Sequence, residues 1–379
     1  MTVRLRQPGS MEQLRRHNRH LVLRAIYSGA AESRAELAVV TGLTKPTVSN
    51  LVGELLADGL ISERGPGRSG ESGGKRPTLL SFEPRARQVI GVSVVGSRAL
   101  GVLSDLAGET SALHVRELAP DEDALDADGS VVSDVVAGLL PQLDAPLLGI
   151  GAGLPGAGPG SNLAATLRRR FGVNVHLGNQ AELSALGQLA FADGVEQDGT
   201  LVNLIVDGGI EMGVGMAGGA VHYGSDLAEL TWPAGEAGDT LRDRFAWNSL
   251  RPRVVAALGG EPSVEVSEAE PPRYSYLRLK DAAVNGNSAA AALIDELARD
   301  LAPVVAWLVA SVRPTQVSLG GRLSDLGESF LALLRRHAAA HVPIDQLDAV
   351  SLSFAYSDQL GAMGAVALVV QAELELLSS

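Results

Sequence analysis

The chain has 379 residues, 46% hydrophobic and 20% charged, with a formal net charge of −13 and no cysteine. That length exceeds an ordinary single domain and supplies a sizeable core, while the missing cysteines exclude disulfides and thiolate metal sites. No apolar run reaches the roughly 20 residues a membrane helix needs. The opening "MTVRLRQPGSMEQLRRHNRH" also lacks the apolar segment of a signal peptide, so a cytoplasmic location with no membrane contact is expected.

Charge is unevenly divided. Residues 1–90 carry 14 Lys and Arg against 8 Asp and Glu, whereas the remainder carries 17 against 36. The asymmetry predicts an N-terminal module that meets a polyanion, joined to a body that would repel one.

In chain order, "MEQLRRHNRHLVLRAIYSG" predicts a helix with Leu14, Leu21, Val22, Ala25 and Ile26 on one face, stopped at Gly29. Ser33-x-x-Glu36 is a capping box opening a second short helix, which ends at Thr41-Gly42. Thr44 then caps a third helix, with Pro46 in its first turn and Val48, Leu51, Val52, Leu55 and Leu56 as the apolar stripe. Lys45, Pro46, Thr47, Ser49 and Asn50 stand near its start. Two helices joined by a glycine turn, the second exposing small polar groups at its N-terminus, is helix-turn-helix geometry; such a helix start reads base edges in the major groove. "LISERGPGRSGESGGKRPTLLSF" reads as strand, glycine-rich tip and strand, a wing whose Arg64, Arg68, Lys75 and Arg76 suit phosphates or a narrow minor groove. Residues 1–88 are therefore expected to form a winged helix-turn-helix that binds double-stranded DNA.

From Val89 the texture changes to repeated strand, glycine loop and helix units, which predict an α/β body over 89–379. "VIGVSVVGSRALGVLSDLAGE" reads as two strands with an Asp-Leu-x-Gly turn leading to a third. "NVHLGNQAELSALGQLAF" reads as strand then helix, "LVNLIVDGGIEMGVGMAGGAVHYGSDLAEL" as a glycine-rich hairpin, and "PTQVSLGGRLSDLGESFLALLRRHAAA" as strand, loop and long helix.

"LTKPTVSNLVGELLADGLI", "GGKRPTLLSF", "IGVSVVGSRALGVLSDLAGE", "GAGLPG", "GNQAELSALG", "VSLGGRLS" and "GAMGAVALV", in that order, resemble the ROK family of repressors, open reading frames and kinases. The likeness is to its transcriptional regulators with an N-terminal winged helix, and it covers essentially the whole chain. It implies an actin-like, sugar-kinase-like body with two α/β lobes around a cleft.

The departures from that family bear on chemistry. Its first phosphate loop has an Asp followed by Gly-Gly-Thr, where this chain has Ser93-Val94-Val95-Gly96-Ser97. Its catalytic base is the Asp of an Asn-Asp-Ala segment, where this chain has Asn179-Gln180-Ala181. An amide cannot take up the proton of a sugar hydroxyl, so phosphoryl transfer loses its general base. The family's Gly-Thr-Gly strand is "DGGIEMGVG" here. Its zinc element, a Glu-x-x-His segment followed by cysteines, becomes Glu229-Leu-Thr-Trp232 with no cysteine at all, so no metal and no cofactor are expected.

The resemblance thus implies Asn179, Gln180, Glu229 and Trp232 as candidate effector contacts for a sugar, a sugar derivative or another small molecule. A degenerate pocket kept as a dimer scaffold is the competing reading, with Trp232 a packed aromatic. For the whole chain, the expected function is a DNA-binding regulator, a repressor by family, with no enzymatic activity. The alternatives are an active carbohydrate kinase with an appended DNA module and an effector-free architectural protein. A homodimer or higher homo-oligomer on a palindromic operator is expected, because one recognition helix reads only a few base pairs.

Other signals carry less. "GAGLPG" and "GVGMAG" match G-x-G-x-x-G without the helix and acid of a dinucleotide site. "PDEDALDADGS" lacks the calcium-loop glycine register and reads as a solvated acidic turn. "GGEPSVEVSEAEPPRYS" reads as an acidic, proline-rich surface loop.

Overall fold

The computed structural model describes residues 11–66, 76–95, 98–118, 129–155, 162–191, 199–206, 210–216, 221–224, 227, 229–231, 239–259, 272–354 and 359–377. Three helices, α1 (Met11–Tyr27), α2 (Arg34–Thr41) and α3 (Lys45–Ala57), are followed by the antiparallel hairpin of β1 (Ile61–Pro66) and β2 (Thr78–Phe82). Gly42, at φ 69°, supplies the left-handed residue that turns the chain from α2 toward α3. Ser33 caps α2 by accepting from the Glu36 amide at 3.4 Å. The return bond differs from the predicted box, because the Glu36 carboxylate accepts from the Glu32 amide at 2.9 Å.

The stripe on α1 also differs. Leu23 is fully buried with Val22, Ala25 and Ile26, whereas Leu14 is 55% exposed and Leu21 is half-buried. The N-terminal half of α1 is held over α3 by the ion pairs Arg15–Glu54 and Arg19–Asp58 rather than by apolar packing.

The body holds two five-stranded sheets. The first comprises β3 (Gln88–Val95), β4 (Arg98–Asp105), β5 (Thr110–Glu117), β6 (Leu147–Leu154) and β7 (Asn174–Asn179), in the order β5-β4-β3-β6-β7. Strands β3, β6 and β7 pair in parallel, while β4 runs antiparallel between β3 and β5. The predicted Asp-Leu-x-Gly turn joins β4 to β5: Asp105 Oδ1 accepts from the amides of Ala107 and Glu109 at 2.9 and 3.0 Å. Side chains alternate along β3. Ile90, Val92 and Val94 join the core under α4 (Ser130–Leu139) and α5 (Asn162–Phe171), while Val89 shares the core on the opposite face with α13 (Leu360–Leu374).

The second sheet, in the order β10-β9-β8-β11-β12, comprises β8 (Thr200–Val206), β9 (Ile210–Met216), β10 (Val221–Gly224), β11 (Gln316–Gly321) and β12 (Ser351–Phe354). The predicted glycine-rich hairpin is therefore a three-stranded meander, since β10 returns antiparallel to β9. Val202, Leu204 and Val206 pack into the core shared with α10 (Ser288–Val312) and α11 (Glu328–Ala338). The remaining helices of this lobe are α7 (Leu241–Phe245), α8 (Trp247–Ala257), α9 (Pro272–Val284) and α12 (Ile344–Asp348). The acidic loop predicted for 259–275 ends early, because residues 272–275 already belong to α9, while 260–271 lie outside the described residues.

Helix α6 (Gln180–Phe191) joins the lobes. It starts at the end of β7, and its Ala181 carbonyl packs against Gly213 of β9 in the second sheet. On its other side its Leu183 carbonyl lies against Gly364 of α13.

On the outer surface of the second lobe, Asp295 of α10 accepts from Arg299, Arg336 and His337. The His337 hydrogen bond, with the neighbouring positive charges, holds the Asp295 carboxyl below its usual range. A depressed folded pKa contributes stability that is present above the unfolded value and is lost as pH falls through the folded one. Asp295→Asn should therefore lower stability at neutral pH and flatten the acid limb of the stability curve. Urea melts of both proteins between pH 3 and 7 measure this.

Candidate functional site

Two sites emerge, one at the start of α3 and one where α6 meets the first sheet. Thr44 caps α3 from an extended conformation, accepting from the Thr47 amide at 3.3 Å, with the two hydroxyls 2.9 Å apart. The Thr47 hydroxyl is thus partly engaged within the cap. Lys45, Pro46, Ser49 and Asn50 are exposed on the same turn and the next, while Val48 and Leu51 are buried beneath them. The free N-terminal amides and the helix dipole favour a phosphate there.

Arg64 on β1 and Arg76 ahead of β2 are exposed; Arg68 and Lys75 lie outside the described residues. The structure separates the module's cations into two groups. Arg15, Arg19 and Arg34 pair with Glu54, Asp58 and Glu63 and serve the module's own packing. Among the described residues Lys45 and Arg64 have no such carboxylate. Nothing in the sequence pattern distinguished these groups, because the pairs join residues 29 to 39 positions apart.

At the lobe junction, Asn179 ends β7 and is 1% exposed. Its Oδ1 accepts from the amides of Ala181 and Glu182 at 2.8 and 3.3 Å, capping α6, and its Nδ2 donates to Glu211 Oε2 at 3.3 Å. Gln180 is 3% exposed and donates from Nε2 to Ser93 Oγ at 2.7 Å, while its Oε1 has no hydrogen-bond partner among the described residues. Two positions singled out separately in the sequence, Ser93 on β3 and Gln180 on α6, are therefore in direct contact, and neither is an acid. Gly361, on the first turn of α13, closes this pair from above.

Glu229 stands elsewhere: it is exposed and paired with Arg242 at 2.7 Å. Trp232 lies outside the described residues, so the four candidate effector residues are only partly brought together. Glu211 and Gly361 belong to the junction but were missed. Their one signal was position in glycine-rich segments, and that signal is common in a chain with 44 glycines. Among the described residues no three His, Asp or Glu side chains converge as a metal site would require.

Comparison with known proteins agrees with both halves. Residues 15–69 match the MarR family and residues 257–372 match the ROK family. The chain thus carries a MarR-type helix-turn-helix region and a ROK family domain. It is 26% identical to the xylose repressor of Caldicellulosiruptor bescii, over 96% of this chain and 97% of that one. It is 30% identical to the xylose repressor of Bacillus subtilis, over 52% and 54%. Among solved structures, a ROK family transcriptional regulator homologous to the E. coli MLC protein superposes with a TM-score of 0.72. That match has 19% identity and covers 96% of this chain and 98% of the other. The ROK family glucokinase of Streptomyces griseus, solved with glucose and AMPPNP, matches 74% of this chain and 98% of its own at a TM-score of 0.56 and 20% identity. At such identities the likeness fixes the fold: a winged helix-turn-helix followed by a two-lobed, actin-like body.

Proposed function

We propose that this chain is a sequence-specific DNA-binding repressor whose body senses a small sugar or sugar derivative without phosphorylating it. The observation that carries the reading is the Gln180–Ser93 hydrogen bond. The kinases of the family place a carboxylate at each of these two positions, one as proton acceptor and one in the first phosphate loop. Here the pair is an amide donating to a hydroxyl, in which neither group can accept a substrate proton at neutral pH. The xylose repressors among its relatives make D-xylose the first effector to test.

We place the boundary between the two functions at residues 88 and 89. In the first part Lys45, Pro46, Thr47, Ser49, Asn50, Arg64, Arg68, Lys75 and Arg76 meet DNA; in the second, Asn179, Gln180, Glu229 and Trp232 serve the effector. Two copies bind a palindromic duplex, since one α3 spans only a few base pairs.

The test starts from a duplex selected by the full chain out of a random pool. Its dissociation constant should rise about fivefold or more with saturating D-xylose or another sugar of a small panel. A coupled ATPase assay with the same panel should show no sugar-dependent turnover. Turnover that disappears in Gln180→Ala would instead establish the carbohydrate kinase reading.

A further inference from the structure

We propose that α13 is a rigid strut that carries the state of the inter-lobe junction to the DNA-binding module; as a statement about regulation, it rests on the repressor reading above. The helix has 15 residues and so is about 22 Å long. Its first turn touches the candidate effector position. A Cβ added at Gly361 would overlap Gln180 Nε2 and lie 2.6 Å from Ser93 Oγ, so these groups already rest on the helix backbone.

Along its length the same closeness recurs. The Ala362 and Ala365 carbonyls lie against Gly91 of β3 and Gly151 of β6, with no side chain between them to absorb a displacement. At the far end, Val370, Leu374 and Leu376 share one buried cluster with Val22, Leu23 and Ile26 of α1. Glu375 Oε1 lies 2.9 Å from Nδ1 of the buried His20 on α1, and Glu373 bonds Asn174 and His176 on β7.

Packed interiors do not compress; they shift between discrete arrangements. A ligand that breaks or turns the Gln180–Ser93 pair must move Gly361. Backbone-to-backbone contact leaves the helix only rigid-body motion, and its other end shares the buried cluster of α1 and meets His20 through Glu375. From α1 the motion reaches α3 through Arg15–Glu54 and Arg19–Asp58.

Gly361→Ala and Glu375→Gln probe the two ends, fourteen residues apart, and their double variant probes the connection. Operator affinity is measured on the selected duplex, and amide hydrogen exchange is measured along α1 in the free protein. Gly361→Ala should change operator affinity at least fivefold and alter α1 exchange, although residue 361 is remote from α1. In the double variant the two effects should not multiply, because both sever one connection. Unchanged α1 exchange and affinity in Gly361→Ala, or effects that simply multiply, overturn the strut. Should Gly361→Ala fail to fold, Ser93→Ala empties the same contact: altered α1 exchange supports the proposal and unaltered exchange rejects it. Exchange needs neither DNA nor sugar, so a wild-type chain indifferent to D-xylose and the other sugars counts against the effector reading alone.

Discussion

Replacing Gly364 with valine should destabilise the protein by about 3 kcal/mol or more, the upper range for overpacking a core. The reason is geometric. A Cβ at this position would fall on the Leu183 carbonyl oxygen of α6, a backbone atom with no rotamer to yield. Gly187 of α6 stands in the same relation to the Leu360 carbonyl and the Gly364 amide, so the two helices cross at a pair of glycines. Forcing them apart would open the contact between lobes and uncover Ala365 and Leu186, which are buried there. Gly53, inside α3, is the control. Nothing lies within 4 Å of a Cβ built there, and alanine at a compatible helical site should be neutral or stabilise by up to about 1 kcal/mol. Urea melts of the two variants should move in opposite directions or leave Gly53→Ala unmoved. Equal losses would mean that the α6–α13 crossing is not a close-packed contact.

The second large effect belongs to α3. Asn50→Ala should weaken binding to the selected duplex by about 1–3 kcal/mol, since an exposed amide on the recognition helix can make a paired hydrogen bond to one base. The same substitution should leave random duplex almost unaffected. Arg64→Ala should behave differently, weakening both duplexes alike and lowering the slope of log affinity against log salt by about one. Affinities for both DNAs over a salt series distinguish these patterns. If Asn50→Ala costs the same on random as on selected DNA, this residue contacts backbone rather than bases.

The winged module was legible because its determinants are local. Capping by Ser33 and Thr44, the left-handed Gly42 and the stripe of Val48, Leu51, Val52 and Leu55 all act within a few residues of one another. Leu14 misled because periodicity records which residues share a face. It does not record how far the partner surface extends, and here the partner ends at the Arg15–Glu54 pair. In the body, strands and helices followed from texture, but β10 did not, since a third strand is added by pairing with β9 rather than by any pattern of its own. At the junction the sequence marked Ser93 and Gln180 as departures from a family pattern. That they bond to each other across 87 positions is a property of the β3–α6 approach, which only the fold creates. Likewise the pairing of Glu229 with Arg242 is a contact its place in a motif did not reveal.

The central claim, that this chain reads DNA sequence, is tested most directly by the wild-type protein on two duplexes. Its affinity for the duplex it selects and for a random duplex of equal length is measured across a range of salt. The account predicts selected DNA bound at least about a thousandfold more tightly at physiological salt, with both affinities falling as salt rises. Equal affinity for the two duplexes, or no salt-dependent binding to either, would contradict it.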